Sequence, residues 1–114
     1  NDDKPFLRFA ETGVLLCGAP WSGKHGLDTN ITVPLRGICI LERGSEDRIE
    51  SLTAEAAAPM LLHQSAAPLE NALLPVFYRL VERLGTQVPL WRMTCTRNAS
   101  AARVSYSAMS GKTE

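Results

Sequence analysis

The sequence is poor in aromatic residues and has no excess of charge of either sign. Aromatic side chains make up 6% of the 114 residues, and 12 Lys and Arg balance 12 Asp and Glu. Without net charge, the chain has no overall field that would attract nucleic acid or an anionic membrane surface. Pro, Gly or a charged residue also interrupts each apolar stretch before it reaches the roughly 20 residues that span a bilayer. The sequence therefore predicts a soluble protein with neither nucleic acid nor a membrane as its partner.

Cysteine is scarce as well, and its spacing excludes two common uses. Cys17, Cys39 and Cys95 are odd in number and form no C-x-x-C pair. A disulfide-bonded secreted scaffold and a structural zinc site both need a different count or spacing. We therefore expect three buried thiols in a protein of a reducing compartment, the cytoplasm.

The length of the chain suits one ordinary domain. With 45% hydrophobic residues, it can build one modest core. We predict a single domain over residues 1–114. The chain opens on Asn1, Asp2 and Asp3 instead of Met, and we expect it to be part of a longer protein.

The first half of the sequence is typical of strands. Phe6–Ala10 and residues 14–17 are short apolar segments separated by Glu-Thr-Gly, which predicts two strands joined by a tight turn. Residues 33–41 are rich in aliphatic side chains and predict one buried strand. Arg48–Leu52 alternates polar and apolar residues, and we expect it to pair with that strand in a second hairpin.

Two helices are expected in the middle of the chain. Thr53 suits the N-cap of a first helix over residues 53–62, which Pro59 kinks or restarts. Apolar residues then recur at helical spacing over residues 68–84, which predicts a longer helix. Pro75 is expected to bend this second helix.

The last third of the chain predicts one more strand and one more helix. Gly85 is expected to end the long helix, and the apolar residues 88–95 to form a strand. Asn98 suits the N-cap of a final helix that ends near Met109. The pattern as a whole predicts an α+β (α/β) fold, with strand hairpins in a mixed sheet packed with about three helices.

The segment Gly18-Ala-Pro-Trp-Ser-Gly-Lys-His is the most distinctive in the chain. It matches the phosphate-binding pattern G-x-x-x-x-G-K-[ST] until its last position, where His25 replaces the Ser or Thr that binds magnesium. The residues that follow are poor helix formers, so the helix N-terminus that holds phosphate in that motif is not expected.

Two interpretations of this loop stay open. Exposed glycine amides, the charge of Lys24 and the ring of Trp21 suit contact with an anion or a base. Alternatively, the glycines shape a surface connection, with Trp21 in the core and Lys24 in solvent. The predicted nucleotide- or anion-binding residues are Gly18, Trp21, Ser22, Gly23, Lys24 and His25.

The adjacent carboxylates Asp2 and Asp3 stand just before the first strand. Such a pair can hold Mg²⁺ against phosphate oxygens, or one member can act as a base, although solvated charge is the alternative. His63 has no second ligand at metal spacing and suits a structural role. Three arginines suit either phosphate contact or surface ion pairs: Arg43, Arg92 and Arg97.

Several segments of the sequence share the pattern of one known family. They include the opening Asn-Asp-Asp-Lys-Pro-Phe-Leu-Arg, the loop from Gly18 through Thr29-Asn30, Ile-Cys-Ile-Leu-Glu-Arg-Gly at 38–44, Ala-Pro-Met-Leu-Leu-His-Gln at 58–64 and Ala-Ala-Arg-Val-Ser-Tyr-Ser-Ala-Met at 101–109. Together they resemble bacterial HPr-kinase-related proteins, whose fold is like that of phosphoenolpyruvate carboxykinase. The resemblance covers nearly the whole chain, and no single motif in it is diagnostic.

This resemblance implies ATP and Mg²⁺ as cofactors. It implies that Asp2 and Asp3 are catalytic residues and metal ligands, equivalent to a Walker B acidic group. It also implies that the loop around Lys24 is a second element near the nucleotide or acceptor site. In such proteins the true P-loop lies upstream of the acidic pair. A chain that begins at the pair is therefore expected to be the C-terminal part of a larger kinase-like domain and to be inactive alone.

The sequence leaves two functions open. The first is a fragment of an ATP-binding, kinase-like phosphotransferase with a hydroxyl acceptor. The alternative is a non-catalytic binding or assembly module. In that case the apolar faces of the hairpins and of residues 69–84 pack against another chain, which is either a missing N-terminal half or a second copy in a homo-oligomer.

Overall fold

The computed structural model describes residues 4–20 and 23–111. Over these residues the chain has an α+β fold with two three-stranded sheets and three α-helices. It divides into two compact units, Asn1–Arg36 and Gly37–Glu114, which we call the N-terminal unit and the C-terminal unit. Within the described ranges, no helix is long and apolar enough to cross a membrane.

The N-terminal unit is built on an antiparallel sheet. Its strands are β1 (Phe6–Ala10), β2 (Gly13–Cys17) and β3 (Thr32–Pro34), in the order β1-β2-β3. The hairpin of β1 and β2 confirms the prediction for this segment. Gly13 has a φ of 138°, which side chains rarely tolerate, so glycine is required where the turn ends.

The single strand predicted over residues 33–41 is wrong. The chain leaves β3 at Pro34, and the next strand, β4, covers Ile38–Arg43. Proline has no N–H to continue a ladder. At Gly37 the backbone passes so close to the ring of Trp91 that a Cβ would lie 2.7 Å from it. The apolar stretch is therefore divided between the two sheets.

The C-terminal unit contains a mixed sheet. Its strands are β4, β5 (Arg48–Leu52) and β6 (Leu90–Cys95), in the order β4-β6-β5. Strand β6 runs parallel to β4 and antiparallel to β5. The predicted hairpin between β5 and the preceding strand is therefore wrong. The reason is burial, because β6 carries the buried Leu90 and Met93 and takes the central position.

Helix α1 covers Ala54–Gln64 and begins as the sequence predicts. The Thr53 Oγ1 atom accepts a hydrogen bond from the backbone N–H of Ala56 at 3.1 Å, which confirms the N-cap. The helix continues through Pro59 and is not restarted there.

Helix α2 covers Leu74–Gln87, after a short 3₁₀ turn at Asn71–Leu73. The predicted start near residue 68 is therefore too early. Pro75 lies in the first turn of α2, where its missing N–H leaves no hydrogen bond unmade, so it begins the helix and does not bend it. Gly85 lies inside α2, so the prediction that it ends the helix is wrong. A Cβ on Gly85 would lie 3.3 Å from the Cβ of Ala54 on α1.

Helix α3 covers Ser100–Ser110 and contacts β5 and β6. The predicted cap at Asn98 is wrong. The N-cap is Ala99, which has no side-chain cap, and Asn98 contributes its carbonyl oxygen to the N–H of Ala101 instead.

Candidate functional site

The loop between β2 and β3 is closed at its base by Gly18. The Gly18 N–H donates a hydrogen bond to the carbonyl oxygen of Ile31 at 2.9 Å. A Cβ on Gly18 would overlap the carbonyl group of Thr29. Glycine is therefore required because the end of the loop that returns to β3 passes against it.

The tip of the loop is a turn from Gly23 to Gly26. The Gly26 N–H donates to the carbonyl oxygen of Gly23 at 3.1 Å, and Gly26 has a left-handed φ of 64°. Lys24 and His25 form the corner of this turn, and both are exposed. The structure thus places the ammonium group of Lys24 at the solvent-facing end of a loop whose base is fixed.

No helix follows the turn. Residues 26–31 have no regular secondary structure before β3 begins, as the sequence predicts. A helix N-terminus is what lets a P-loop surround several phosphate oxygens. In the described part of this loop, an anion can contact one cation, Lys24, and the backbone of the turn. These groups suit a single contact and do not surround several phosphate oxygens.

The predicted site residues fall into two groups. The structure brings Gly23, Lys24 and His25 together in the turn and places Gly18 at the loop base. The other four lie outside the described residues: Asp2, Asp3, Trp21 and Ser22. Among residues 4–20 and 23–111, no three His, Cys, Asp or Glu side chains are grouped so that they could hold a metal ion.

A charged depression of about 210 Å³ lies on one face of the β4-β6-β5 sheet. The register explains it, because Glu42 and Arg48 both lie opposite Thr94 on β6, and Glu50 lies opposite Arg92. These five residues line the depression.

One ion pair crosses this depression. The Arg92 Nη2 atom donates to Glu42 Oε1 at 2.5 Å, and both side chains are about 40% exposed (39% and 43%). Exposed pairs of this kind contribute about 0–1 kcal/mol to stability. Arg92 is therefore a surface ion-pair residue, which was one of its two predicted roles. Its partner is 50 residues away in the sequence, and the sequence contains no signal for the pairing.

The most extensively hydrogen-bonded carboxylate in the described chain is Asp47, in the turn between β4 and β5. Its Oδ1 atom accepts from the Thr96 N–H at 2.8 Å and the Thr96 hydroxyl at 2.9 Å, and its Oδ2 atom accepts from the Ser100 hydroxyl. The hydrogen bonds from Ser100 and then Thr96 lower the pKa of Asp47 below its ordinary value. Since Ser100 opens α3, the carboxylate also faces the positive end of a helix. Asp47 therefore fixes the β6–α3 connection.

The three cysteines are free and only partly buried, so the prediction of buried thiols is wrong in its degree of burial. Burial, and then the neighbouring Cys95 thiol, raise the pKa of Cys39 above its ordinary value. A raised pKa reduces the thiolate fraction, so Cys39 is a poor nucleophile. The Cys95 thiol donates weakly to the Glu42 carbonyl oxygen at 3.5 Å.

The loop that carries Lys24 is thus the described region that best matches the predicted chemistry. No family model, curated protein or solved structure matches the chain.

Proposed function

We propose that this chain is the nucleotide-binding part of an ATP-dependent, kinase-like phosphotransferase. In this proposal Lys24 contacts a phosphate oxygen. The observation that carries it is the exposed turn at Lys24, which is anchored at its base by the Gly18 to Ile31 hydrogen bond. An ammonium group held on a short turn is a common phosphate ligand.

The geometry of the loop supports anion contact for two reasons. Glycines at both ends of the turn, Gly23 and Gly26, let a ligand approach the backbone closely. The left-handed Gly26 also reverses the chain within four residues, so Lys24 and His25 occupy the two central positions of the turn. His25 would line the same pocket as Lys24.

The remaining parts of the proposal rest on the resemblance to HPr-kinase-related proteins. Asp2 and Asp3 would hold Mg²⁺, and Trp21 and Ser22 would lie beside the nucleotide. Bound Mg²⁺ would neutralise charge on the phosphates. Two carboxylates with phosphate oxygens are a usual magnesium arrangement, and the described residues contain no separate group of three His, Cys, Asp or Glu side chains that could hold the ion instead.

We further propose that the chain binds nucleotide weakly and turns over little by itself. Phosphoryl transfer needs several groups positioned at once around the phosphates and the acceptor. One lysine and one turn supply only part of that set. The acceptor that the resemblance implies is a hydroxyl group.

Calorimetric titration with millimolar ATP, with and without Mg²⁺, tests the proposal. We expect Lys24→Ala to weaken ATP binding by about 3- to 10-fold, because one exposed charge-assisted contact is lost. Arg8→Ala is the matched control, since Arg8 is an exposed cation on β1 of the same unit. The control should bind ATP like the parent chain.

A second variant separates the metal from the lysine. Asp3→Asn should remove the gain that Mg²⁺ brings while leaving metal-free binding unchanged. If no heat of binding is seen at millimolar ATP, or if Arg8→Ala weakens binding as much as Lys24→Ala, the nucleotide proposal is wrong.

A further inference from the structure

Strand β5 forms one edge of the C-terminal sheet. The strand order is β4-β6-β5, so β5 pairs with β6 on one side only. Within residues 4–20 and 23–111, no backbone hydrogen bond is made on its other side. Alternate residues of an edge strand point their N–H and C=O groups away from the sheet. The outer side of β5 can therefore accept another strand.

The two charged side chains of β5 have no partner among the described residues. Arg48 and Glu50 are exposed and two residues apart, so they lie on the same face of the sheet and both line the charged depression. Neither makes an ion pair or a side-chain hydrogen bond within those ranges. Glu42 on the opposite edge differs, because it is already paired with Arg92. Strand β5 thus carries one positive and one negative charge that its own chain leaves unpaired.

We propose that β5 pairs antiparallel with β5 of a second copy of this chain, about a two-fold axis at Ile49. In this register Arg48 lies opposite Glu50 of the second copy, and Glu50 lies opposite Arg48 of the second copy. All three positions belong to the regular strand Arg48–Leu52. The two sheets join into one continuous sheet, and opposite charges meet twice across the new seam.

The charges select this register over its neighbours. An axis at Glu50 would place two carboxylates directly opposite each other. A parallel pair in register would place Arg48 beside Arg48 and Glu50 beside Glu50. Like charges at opposed positions destabilise a strand pair, while opposite charges stabilise it. The antiparallel pair about Ile49 is the arrangement that uses both unpaired charges.

The other face of β5 also suits a second copy. An open groove of about 420 Å³ lies between β5 and α3. Its lining is mostly apolar or small: Ile49, Arg103, Val104, Ser107 and Ala108. Side chains directly opposite each other in a sheet share a face, so Ile49 of the second copy lies beside Ile49 at this groove. The pairing thus covers a half-buried apolar side chain on one face while it joins charges on the other.

The short length of β5 indicates a weak dimer. Stable interfaces bury about 800 Å² on each partner, and one five-residue strand with the rim of a groove supplies less than that. We expect a dissociation constant on the order of 10–100 µM. The dimer does not require nucleotide, and it extends beyond the function proposed above.

Sedimentation of the whole chain from about 5 to about 500 µM tests the proposal. Arg48→Glu exchanges two opposite-charge pairs for two like-charge pairs, so it should raise the dissociation constant roughly 10-fold. Glu50→Arg should have the same effect. Arg43→Glu is the matched control, because it makes the same charge change at an exposed position of β4, the other edge of the sheet. It should leave the dissociation constant unchanged.

The two single variants also test which surfaces pair. Mixed in equal amounts, they should form a dimer as tight as that of the parent chain, because the carboxylates of Arg48→Glu then meet the guanidinium groups of Glu50→Arg. The double variant should self-associate like the parent chain for the same reason. Circular dichroism at low concentration should show that each variant folds like the parent chain, since both positions are exposed.

Four results would overturn the proposal. A chain that stays monomeric at all concentrations leaves the edge of β5 to a different polypeptide. Single variants that dimerise like the parent chain, or a mixture that does not recover the dimer, show that β5 is not the seam. A dimer that Arg43→Glu weakens as much as Arg48→Glu shows that the charges do not act at this position.

Discussion

The two units of this chain differ in how much apolar surface they bury. In the described residues of the N-terminal unit, only Val14 and Ala19 are buried hydrophobic residues. The C-terminal unit contains seven within residues 37–111: Ala57, Leu61, Val81, Leu84, Val88, Leu90 and Met93. The difference follows from architecture, because the C-terminal unit combines its sheet with three helices, while the described N-terminal unit consists of strands and loops.

The larger hydrophobic core and the predicted binding residues therefore belong to different units. The residues of β3 are all exposed, so the third strand adds little buried apolar surface to the N-terminal sheet. The predicted anion-binding turn nevertheless belongs to that unit. Loops held on a small scaffold often carry binding residues, because their side chains are free to face a ligand. We therefore expect stability to be most sensitive to core substitutions in the C-terminal unit. In the N-terminal unit we expect it to be most sensitive to substitutions that shift the backbone of the loop.

The largest effect is expected from Met93→Ala in the C-terminal unit. Met93 is 1% exposed and lies on the central strand β6. Removing its side chain should leave a cavity and lower the free energy of unfolding by about 2–5 kcal/mol. Urea denaturation measures this change. Leu69→Ala removes a fully exposed side chain. It should change the free energy of unfolding little and serves as the control. A loss under about 1 kcal/mol for Met93→Ala would contradict the assignment of the core.

A smaller and more local effect is expected from Gly18→Ala in the N-terminal unit. The new Cβ would overlap the Thr29 carbonyl, so the loop base must shift. We expect the amides of β2 and β3 to lose protection from hydrogen exchange equivalent to about 2 kcal/mol. Asp28→Ala, in the exposed part of the same loop, should retain full protection. If the amides of β6 lose protection equally, the two units unfold together and the contrast between them fails.

The smallest effect is expected from Asp47→Asn, and it depends on pH. The pKa of Asp47 is lowered by folding, so its contribution is fully present above the ordinary value of about 3.9. It is lost as the pH falls through the folded pKa. The variant should therefore be less stable than the parent chain at pH 7, and the difference should shrink in strong acid. Thermal unfolding from about pH 2 to pH 7 measures it. Ser45→Ala changes a nearby exposed residue that has no titratable side chain, so it is the control and should leave the pH dependence of the parent chain unchanged. A difference between Asp47→Asn and the parent chain that is the same at all pH values would contradict the assignment.

Several elements could be predicted because neighbours in the sequence determine them. The β1–β2 hairpin follows from two apolar segments and a turn that ends in glycine. Helix α1 follows from its Thr53 cap, and β6 from the apolar residues before Cys95. In each case the interactions that define the element lie within a few residues.

The pairing of strands could not be predicted in the same way. The sequence favours β4 and β5 as a hairpin because they are adjacent, yet β6 inserts between them from about 40 residues further along. Its position is decided by which strand has the most apolar surface to bury on both sides. That comparison involves the whole unit, and no local pattern contains it.

The candidate site shows the same division. The glycines and the lysine predict a loop with an exposed cation, and the structure places Lys24 in such a turn. Gly18 fits the second of the two predicted interpretations, in which the glycines shape the connection, because its missing side chain lets the backbone of Thr29 and Ile31 pass. The sequence gives no sign of the hydrogen bonds of Asp47 with Thr96 and Ser100, and it leaves the role of Arg92 open. The partners in these interactions are 49 to 53 residues apart.

The sequence by itself determined the α+β character, the first hairpin, the helix cap at Thr53 and the loop that presents Lys24. These depend on backbone preferences and hydrogen bonds between residues close in the chain. Only the tertiary structure decided the central position of β6, the anchoring of α3 by Asp47 and the exposure of Val76 and Leu80 on α2. Each of these depends on which surfaces meet across long stretches of chain, and on which one is left in solvent once the others are buried.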